Sequence, residues 1–195
     1  MLDNATTRSR TAALIEPAAK ALLGMGVKPD MVTWAGTVSL VAVAATVIAP
    51  GHLAAGGWLF IAISATDLLD GTMARLSGTS GPWGSFLDSS LDRVADASIM
   101  LGIVWVTTHS YRHDVAAAAA CAALVGGQVT SYVRARAESV GASCKVGLAE
   151  RGERNILMTA ALVFSGVHRL VLPSVLCVLA CATWITVGQR MVHVR

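Results

Sequence analysis

Residues 31–49 read MVTWAGTVSLVAVAATVIA and contain no charged side chain. A bilayer core about 30 Å thick is crossed by roughly 20 helical residues, so this segment predicts a transmembrane helix. The whole chain of 195 residues is 54% hydrophobic and only 14% charged, and its mean hydropathy is +0.62. One small core cannot bury so much apolar surface, which excludes a soluble globular enzyme and indicates an integral membrane protein.

Apolar segments on both sides of this stretch extend the pattern. Five further spans are predicted, at Leu53–Arg75, Gly84–Thr108, Val115–Val133, Arg154–Val167 and Leu170–Gly188. Before the first span, Thr11–Met25 has apolar residues at helical spacing, with Glu16 and Lys20 on the opposite face. Such a segment is typical of a helix that lies along the membrane surface. The predicted fold is all-α, with six transmembrane helices in residues 29–195 and a cytoplasmic or interfacial amphipathic helix in residues 1–28. We expect a single domain over residues 1–195.

The basic residues are distributed unequally between the two sides of the predicted bundle. Thirteen of the 15 Lys and Arg fall on the side of the N-terminus, and only Arg112 and Arg169 fall on the other. The positive-inside rule then places both termini on the cytoplasmic side of the cell membrane. Residues 1–10 lack the apolar core of a signal peptide, so we expect them to stay on the protein. The net charge of +3 is mild, and no nucleic-acid partner is expected.

Acidic residues gather at two adjoining predicted helix ends. Residues 66–96 read TDLLDGTMARLSGTSGPWGSFLDSSLDRVAD. Asp67 and Asp70 are three residues apart and Asp88 and Asp92 are four apart, so each pair projects from one face of its helix. Two such pairs facing each other would form a cup of four carboxylates.

Carboxylates in this position need positive partners. One Asp at the centre of a spanning helix costs roughly 2.5 to 3.5 kcal/mol to insert, so four of them need cations and a wet cavity. Oxygen donors without His or Cys favour Mg²⁺, Mn²⁺ or Ca²⁺ over zinc, and opposed pairs suit two ions that neutralise phosphate oxygens. Ion pairing with Arg75 and Arg93 is the alternative. It could neutralise only two of the five aspartates in residues 66–96.

The pattern Asp67-x2-Asp70-Gly71-x2-Ala74-Arg75-x8-Gly84-x3-Asp88-x3-Asp92 resembles the full signature of the CDP-alcohol phosphotransferase family. Members of that family transfer a phosphatidyl group or a phosphobase from a CDP-linked donor to an alcohol and release CMP. The resemblance implies that four aspartates bind two divalent cations, Mg²⁺ or alternatively Mn²⁺, namely Asp67, Asp70, Asp88 and Asp92. It also implies that Asp92 is the general base, and that Gly71, Ala74 and Arg75 line the nucleotide site. Asp96 lies one helical turn past Asp92, outside the pattern, and remains unassigned.

Within that family, the chain is similar along nearly its whole length to the actinobacterial phosphatidylinositol phosphate synthases. This resemblance implies that CDP-diacylglycerol is also contacted by Asp30, Thr33 and Gly81. A helix N-cap explains Asp30 as well. Arg134, Arg154 and Arg190 match the positions that hold the phosphate of inositol phosphate in those enzymes, and arginine forks suit bidentate phosphate binding.

The expected activity is transfer of the phosphatidyl group from CDP-diacylglycerol to 1D-myo-inositol 3-phosphate. The same chemistry on glycerol 3-phosphate, by a phosphatidylglycerophosphate synthase, is the alternative, because that acceptor is also phosphorylated. The positive-inside rule alone could account for Arg136, Lys145 and Arg151. For Arg134 and Arg154 it remains an alternative explanation to phosphate binding. A divalent-cation transporter is the remote alternative, although transport sites usually lie near mid-bilayer. Family resemblance also implies a homodimer.

Overall fold

The computed structural model of the chain describes residues 5–144 and 146–195, with side chains from residue 15 onward. The described part leaves out residues 1–4, the side chains of Arg8 and Arg10, and Lys145, so the predictions for these residues lie outside it. Helices account for 82% of the residues, and the described residues contain no strand. The prediction of an all-α membrane protein is therefore confirmed.

Eight α-helices follow one another along the described chain. They are α1 (Ala5–Gly24), α2 (Pro29–Val43), α3 (Leu53–Ser64), α4 (Thr66–Leu76), α5 (Pro82–His109), α6 (Asp114–Ser139), α7 (Arg151–Val163) and α8 (Val171–Val194). A π-helical turn, Ala44–Ile48, continues α2, and a 3-10 turn, Phe164–Gly166, continues α7. Each predicted span coincides with one of these helices, or with the α3–α4 pair.

Four helical segments are long and apolar enough to cross a bilayer, namely Pro29–Ile48, Leu53–Leu76, Asp114–Ser139 and Val171–Val194. The other two predicted spans correspond to α5 and α7. The first half of α5 carries Asp88, Asp92 and Arg93, and Asp96 follows directly. Helix α7 has only 13 residues, or about 20 Å at 1.5 Å per residue. The prediction of six spans therefore remains a prediction.

The connection between α4 and α5 is shorter than the glycine-rich sequence suggests. Pro82 and Gly84 both belong to the first turn of α5. Proline favours the first helical position, where its missing N–H would have no helical partner. At the end of α4, Gly78 has a φ of +67°, and Thr79 N–H donates to the Ala74 carbonyl at 3.0 Å. Glycine suits this left-handed position because it has no Cβ.

The chain forms two compact units, each made of separate stretches of sequence. Among the described residues, the first unit comprises 5–40 and 61–95. Within it α1 packs against α4, and Ala19 on α1 is completely buried. Lys20 Nζ pairs with Glu16 Oε1 at 2.7 Å, one helical turn away on α1. That α1 lies along the membrane surface, and that residues 1–195 form one domain, remain predictions.

The second unit comprises residues 41–60 and 96–195, and its helices approach closely through glycines. Ile48, at the end of the π-helical turn, is fully buried. It packs against Gly56 of α3, where an added Cβ would lie 2.4 Å from Ile48 Cγ1. Gly102 of α5 also packs against the π-helical turn, and an added Cβ there would lie 2.9 Å from the Ala44 carbonyl oxygen. Neither position has room for a side chain.

Gly126 allows α6 and α8 to pack tightly within the chain. A Cβ at Gly126 would lie 2.5 Å from Thr183 Oγ1 and 2.9 Å from Thr183 Cβ. Beside this contact, the Trp184 indole N–H donates to the Ala122 carbonyl at 3.1 Å. At Gly126 the contact is within the chain.

Replacing Gly126 tests this packing. We expect Gly126→Ala to lower the free energy of unfolding by about 1 to 3 kcal/mol, because the new methyl group must displace the buried Thr183. Gly188→Ala in α8 is the matched control, since nothing lies within 4 Å of its Cβ position. Both changes gain similar helix propensity, so their difference reports packing. Thermal unfolding in detergent measures it, and equal midpoints for the two variants would contradict the proposed contact.

Candidate active site

The four predicted metal ligands belong to the first unit and lie on two helices. Asp67 and Asp70 are in the first turns of α4, and Asp88 and Asp92 are in the first half of α5. Asp70 is buried with 7% of its surface exposed. Asp92 is half-buried, whereas Asp67 and Asp88 are exposed. The four carboxylates therefore range from exposed to buried, and Asp70 is the most buried.

Asp70 is held by a hydrogen bond from α2. Thr33 Oγ1 donates to Asp70 Oδ2 at 2.6 Å, across 37 residues of sequence. Asp70, a predicted metal ligand, is therefore in direct contact with Thr33, a predicted contact of CDP-diacylglycerol. The structure brings together the Asp30–Thr33 segment and the start of α4, which the sequence related only by resemblance.

The position of α2 against α4 depends on a second close approach. Gly36 lies one helical turn beyond Thr33, and a Cβ there would lie 2.8 Å from Thr66 Oγ1. Thr66 Oγ1 in turn donates to the Ile63 carbonyl at 2.6 Å. A larger residue at 36 would push α2 away from α4 and lengthen the bond from Thr33 to Asp70.

Asp30 makes a contact that the sequence did not predict. It lies in the first turn of α2, one residue after the helix begins at Pro29, so it is not the N-cap residue. Its Oδ2 accepts a hydrogen bond from Trp83 Nε1 at 3.0 Å. Trp83 stands in the first turn of α5 and is itself exposed. The only sequence signal for Trp83 was its place beside Pro82, in a connection otherwise made of small residues.

The predicted nucleotide residues have different surroundings. A Cβ on Gly71 would lie 3.5 Å from Arg75 Nη1, so the guanidinium lies beside the glycine. Arg75 Nη2 donates to Thr72 Oγ1 at 2.9 Å. Ala74 is half-buried and Gly81 is exposed. The nearest atom to a Cβ on Gly81 is the Thr79 carbonyl oxygen, at 4.0 Å, so packing within the chain does not require glycine there.

The chemistry of the donor set fits a divalent cation. All four predicted ligands are carboxylates, which with water and carbonyl oxygens are the groups that Mg²⁺ and Mn²⁺ prefer. Within residues 5–144 and 146–195, no three His, Cys, Asp or Glu side chains converge closely enough to hold one ion. The predicted metal site therefore rests on the chemistry of the donors and not on a preformed cage.

The three predicted acceptor arginines belong to the second unit and differ strongly in exposure. Arg134 is on α6, and its Nε donates to Glu138 Oε1 at 3.0 Å in a surface ion pair with 42% of the Arg134 side chain exposed. Arg154 is on α7, and 11% of its side chain is exposed. Arg190 is on α8 and is 3% exposed.

Arg190 ties three parts of the second unit together. Its Nε donates to the Val146 carbonyl at 2.8 Å, and its Nη1 donates to the Thr130 carbonyl at 2.7 Å. Its Nη2 lies 3.8 Å from Glu150 Oε1. Two backbone carbonyls and one carboxylate thus surround a guanidinium that the sequence assigned to ligand binding alone. Any phosphate contact must use the N–H groups that remain.

The loop before α7 is fastened to α8 by a second contact. Thr186 Oγ1 accepts a hydrogen bond from Ala149 N–H at 3.0 Å and donates to the Ala182 carbonyl at 2.8 Å. Gly147 has a φ of +143°, and a Cβ there would lie 2.4 Å from Thr186 Cγ2. The loop is thereby held where α7 begins, which sets the positions of Arg151 and Arg154.

Three comparisons with known proteins bear on this arrangement. Residues 27–192 match the model of the family described as CDP-alcohol phosphatidyltransferase. The chain is 43% identical to the phosphatidylinositol phosphate synthase of Cutibacterium acnes, over 96% of this chain and 95% of that protein. It is 40% identical to the enzyme of that name from Mycobacteroides abscessus, over 97% and 87% of the two chains.

Solved structures agree with these relatives. The crystal structure of Mycobacterium tuberculosis phosphatidylinositol phosphate synthase with CDP-DAG bound matches with a TM-score of 0.91 and 34% identity, covering 93% of this chain and 94% of that one. A second structure of that enzyme, in complex with manganese and citrate, matches with a TM-score of 0.90 and 35% identity, covering 92% and 88%.

The bond between Thr33 and Asp70 gives a direct prediction. We expect Thr33→Val to lower the free energy of unfolding by about 1.5 to 3 kcal/mol, because a buried carboxylate loses its donor while the side-chain shape is kept. Thr33→Ser should retain most of the stability. The measurement is thermal unfolding in detergent with a chelator present, so that no added cation compensates.

Thr46→Val is the matched control, since Thr46 is exposed and donates only to the Ala42 carbonyl of its own helix. If Thr33→Val and Thr46→Val unfold at the same temperature, the hydrogen bond to Asp70 does not stabilise the first unit.

Proposed function

Because the chain belongs to the CDP-alcohol phosphatidyltransferase family, we propose that it transfers the phosphatidyl group of CDP-diacylglycerol to 1D-myo-inositol 3-phosphate. The observation that carries this choice of acceptor is the similarity, over nearly the full length of both chains, to relatives named phosphatidylinositol phosphate synthase. Family membership makes the protein a transferase, which disfavours the cation-transporter reading of the aspartates.

The reaction is a displacement at the phosphorus that carries diacylglycerol. The acceptor hydroxyl oxygen forms a bond to this phosphorus, the bond from phosphorus to the oxygen of CMP breaks, and CMP leaves with that oxygen. The proton of the hydroxyl passes to Asp92 as general base. Bound divalent cations would neutralise the pyrophosphate oxygens and so improve the leaving group. The residues that would hold two of them are Asp67, Asp70, Asp88 and Asp92, and Mg²⁺ is the proposed metal.

The donor site is assigned to the first unit. Asp30, Thr33, Gly71, Ala74, Arg75 and Gly81 are proposed to contact CDP-diacylglycerol. The hydrogen bond from Thr33 to Asp70 supports this assignment, because it joins a proposed donor contact to a proposed metal ligand. The M. tuberculosis relative with CDP-DAG bound supports the choice of donor, and its complex with manganese and citrate supports a divalent cation.

The acceptor phosphate is assigned to Arg134, Arg154 and Arg190 in the second unit. Guanidinium groups present paired N–H donors that match phosphate oxygens, which favours a phosphorylated acceptor over choline or ethanolamine. In this proposal Arg190, whose guanidinium donates to two backbone carbonyls, supports the site, and Arg154 and Arg134 contact the phosphate.

The remaining proposals concern the membrane and the assembly. The distribution of Lys and Arg supports an orientation with both termini and the active site on the cytoplasmic side. A homodimer is proposed from family resemblance alone. Gly126 does not support a homodimer, because the space beside it is occupied by Thr183 of the same chain.

Asp92 is the residue whose replacement tests the mechanism. We expect Asp92→Asn to lower metal-dependent CMP release by about 100-fold or more, because the variant loses both the base and a metal ligand. EDTA should abolish wild-type activity and excess Mg²⁺ should restore it. The measurement is CMP release by purified protein in detergent with CDP-diacylglycerol and inositol 3-phosphate.

Asp114→Asn, an exposed change at the start of α6, should leave this rate unchanged. More than a tenth of wild-type activity in Asp92→Asn would contradict its assignment as the base.

The acceptor is tested by competition. With CDP-diacylglycerol and Mg²⁺, we expect CMP release with inositol 3-phosphate and little with free inositol, which lacks the phosphate that the arginines would bind. Product chromatography with an equimolar mixture of inositol 3-phosphate and glycerol 3-phosphate should show phosphatidylinositol phosphate as the main lipid. Predominant phosphatidylglycerophosphate would keep the family chemistry and overturn the choice of acceptor.

A further inference from the structure

Asp96 lies on α5, in the second unit, and contacts two arginines of α7. Its Oδ2 lies 3.5 Å from Arg151 Nε and 3.6 Å from Arg154 Nη2. Only 14% of the Asp96 side chain is exposed. Only 11% of the Arg154 side chain is exposed, so the attraction between Asp96 and Arg154 is screened much less than in a surface pair, whereas Arg151 is 35% exposed. We call Asp96, Arg151 and Arg154 the Asp96 cluster.

The guanidinium of Arg154 is confined by other elements as well. Its Nη1 donates to the Ala149 carbonyl at 3.4 Å. A Cβ on Gly127 of α6 would lie 3.5 Å from Arg154 Nε and 3.8 Å from Cζ, so the guanidinium lies against the bare backbone of that helix. Arg154 is therefore bounded by α5, by α6 and by the loop that Arg190 and Thr186 fasten to α8.

The ion pair of Arg134, another proposed acceptor arginine, is of a different kind. Glu138 pairs with Arg134 one helical turn away, with half of the Glu138 side chain exposed. Such exposed pairs contribute little and constrain geometry weakly. Asp96 instead contacts α7 from a different helix and from a largely buried position, so it can fix the direction of an arginine fork.

The second oxygen of Asp96 argues against a purely stabilising role. Asp96 Oδ1 is buried and has no hydrogen-bond partner in the described part of the chain. An unsatisfied buried carboxylate oxygen destabilises a fold, and buried ion pairs are weak contributors to stability even when complete. A residue that costs stability in this way fits better with a role in the arrangement of the arginines than with packing.

We propose that Asp96 is a positioning residue of the acceptor site: it holds Arg154, together with Arg151, so that the guanidinium of Arg154 is directed at the phosphate of the acceptor. This inference rests on the proposed function, in which Arg154 binds that phosphate. Asp96 touches neither the phosphate nor the reacting atoms. Its charge opposes an anion, so its contribution comes from the order that it imposes on Arg154.

The two possible roles of Asp96, ordering Arg154 and neutralising its charge, predict opposite changes in phosphate affinity when Asp96 is replaced. If Asp96 aligns Arg154, then Asp96→Asn weakens phosphate binding because the fork becomes mobile. If Asp96 only neutralises positive charge, then the same change strengthens phosphate binding. Asparagine keeps the shape of the side chain and one acceptor oxygen, so packing changes little.

The experiment is steady-state CMP release by the full chain in detergent, with each substrate varied in turn. For Asp96→Asn we expect the KM for inositol 3-phosphate to rise about tenfold, with kcat and the KM for CDP-diacylglycerol within about twofold of wild type. Asp96→Glu should restore part of the KM. Asp114→Asn is the control and should match wild type. An unchanged or lower acceptor KM in Asp96→Asn, or a parallel loss in kcat and both KM values, overturns the proposal.

A second measurement does not depend on turnover or on the identity of the acceptor. Inorganic phosphate should raise the thermal-unfolding midpoint of wild type, and the concentration for half the effect should be about tenfold higher for Asp96→Asn. Equal phosphate concentrations for the two proteins overturn the role of Asp96. Wild type that binds phosphate but releases no CMP from any phosphorylated acceptor instead overturns the proposed function.

Discussion

A charged group in a lipid-spanning helical protein must find its partner inside the protein, and the rest of this structure depends on that constraint. An unpaired charge at the centre of a spanning helix costs several kcal/mol. Asp70 is buried and receives a hydrogen bond from Thr33 at 2.6 Å. Arg190 is buried and donates to the carbonyls of Val146 and Thr130. Each charged group thereby fixes the relative position of elements that are distant in sequence, and the same bonds that lower the burial cost shape the site.

Small residues make these contacts geometrically possible. Gly36 lets α2 approach Thr66 of α4, so that Thr33 reaches Asp70. Gly127 gives the Arg154 guanidinium a place against the backbone of α6. In lipid, helices gain no hydrophobic driving force by associating, so close van der Waals contact and interhelical hydrogen bonds supply the attraction. Glycines therefore serve two purposes here, since they tighten the packing and they bring polar side chains within reach of their partners.

The sequence predicted the arrangement of the aspartates better than that of the arginines. The spacing of Asp67, Asp70, Asp88 and Asp92 follows helical periodicity, so their grouping on two helices was predictable and the structure has them there. Trp83 and Asp96 were not predicted as contacts, because both lie outside the family signature. The arginines were predicted as one group, yet Arg134 is exposed and Arg190 is buried. The positive-inside rule counts charges along the chain and cannot separate an exposed arginine from one enclosed by carbonyls.

The amino-acid sequence by itself determined the all-α membrane architecture and the segments that form its helices, because apolar length and helical periodicity are properties of the chain read in order. It also determined which residues could carry the chemistry, since residue type and spacing suffice for a carboxylate motif. Only the tertiary structure decided which partner each charged side chain has. Thr33 and Asp70 are 37 residues apart, and Arg190 and Thr130 are 60 apart. Such pairs depend on how the helices pack, and packing is set by contacts over the whole fold, which no local pattern of residues encodes.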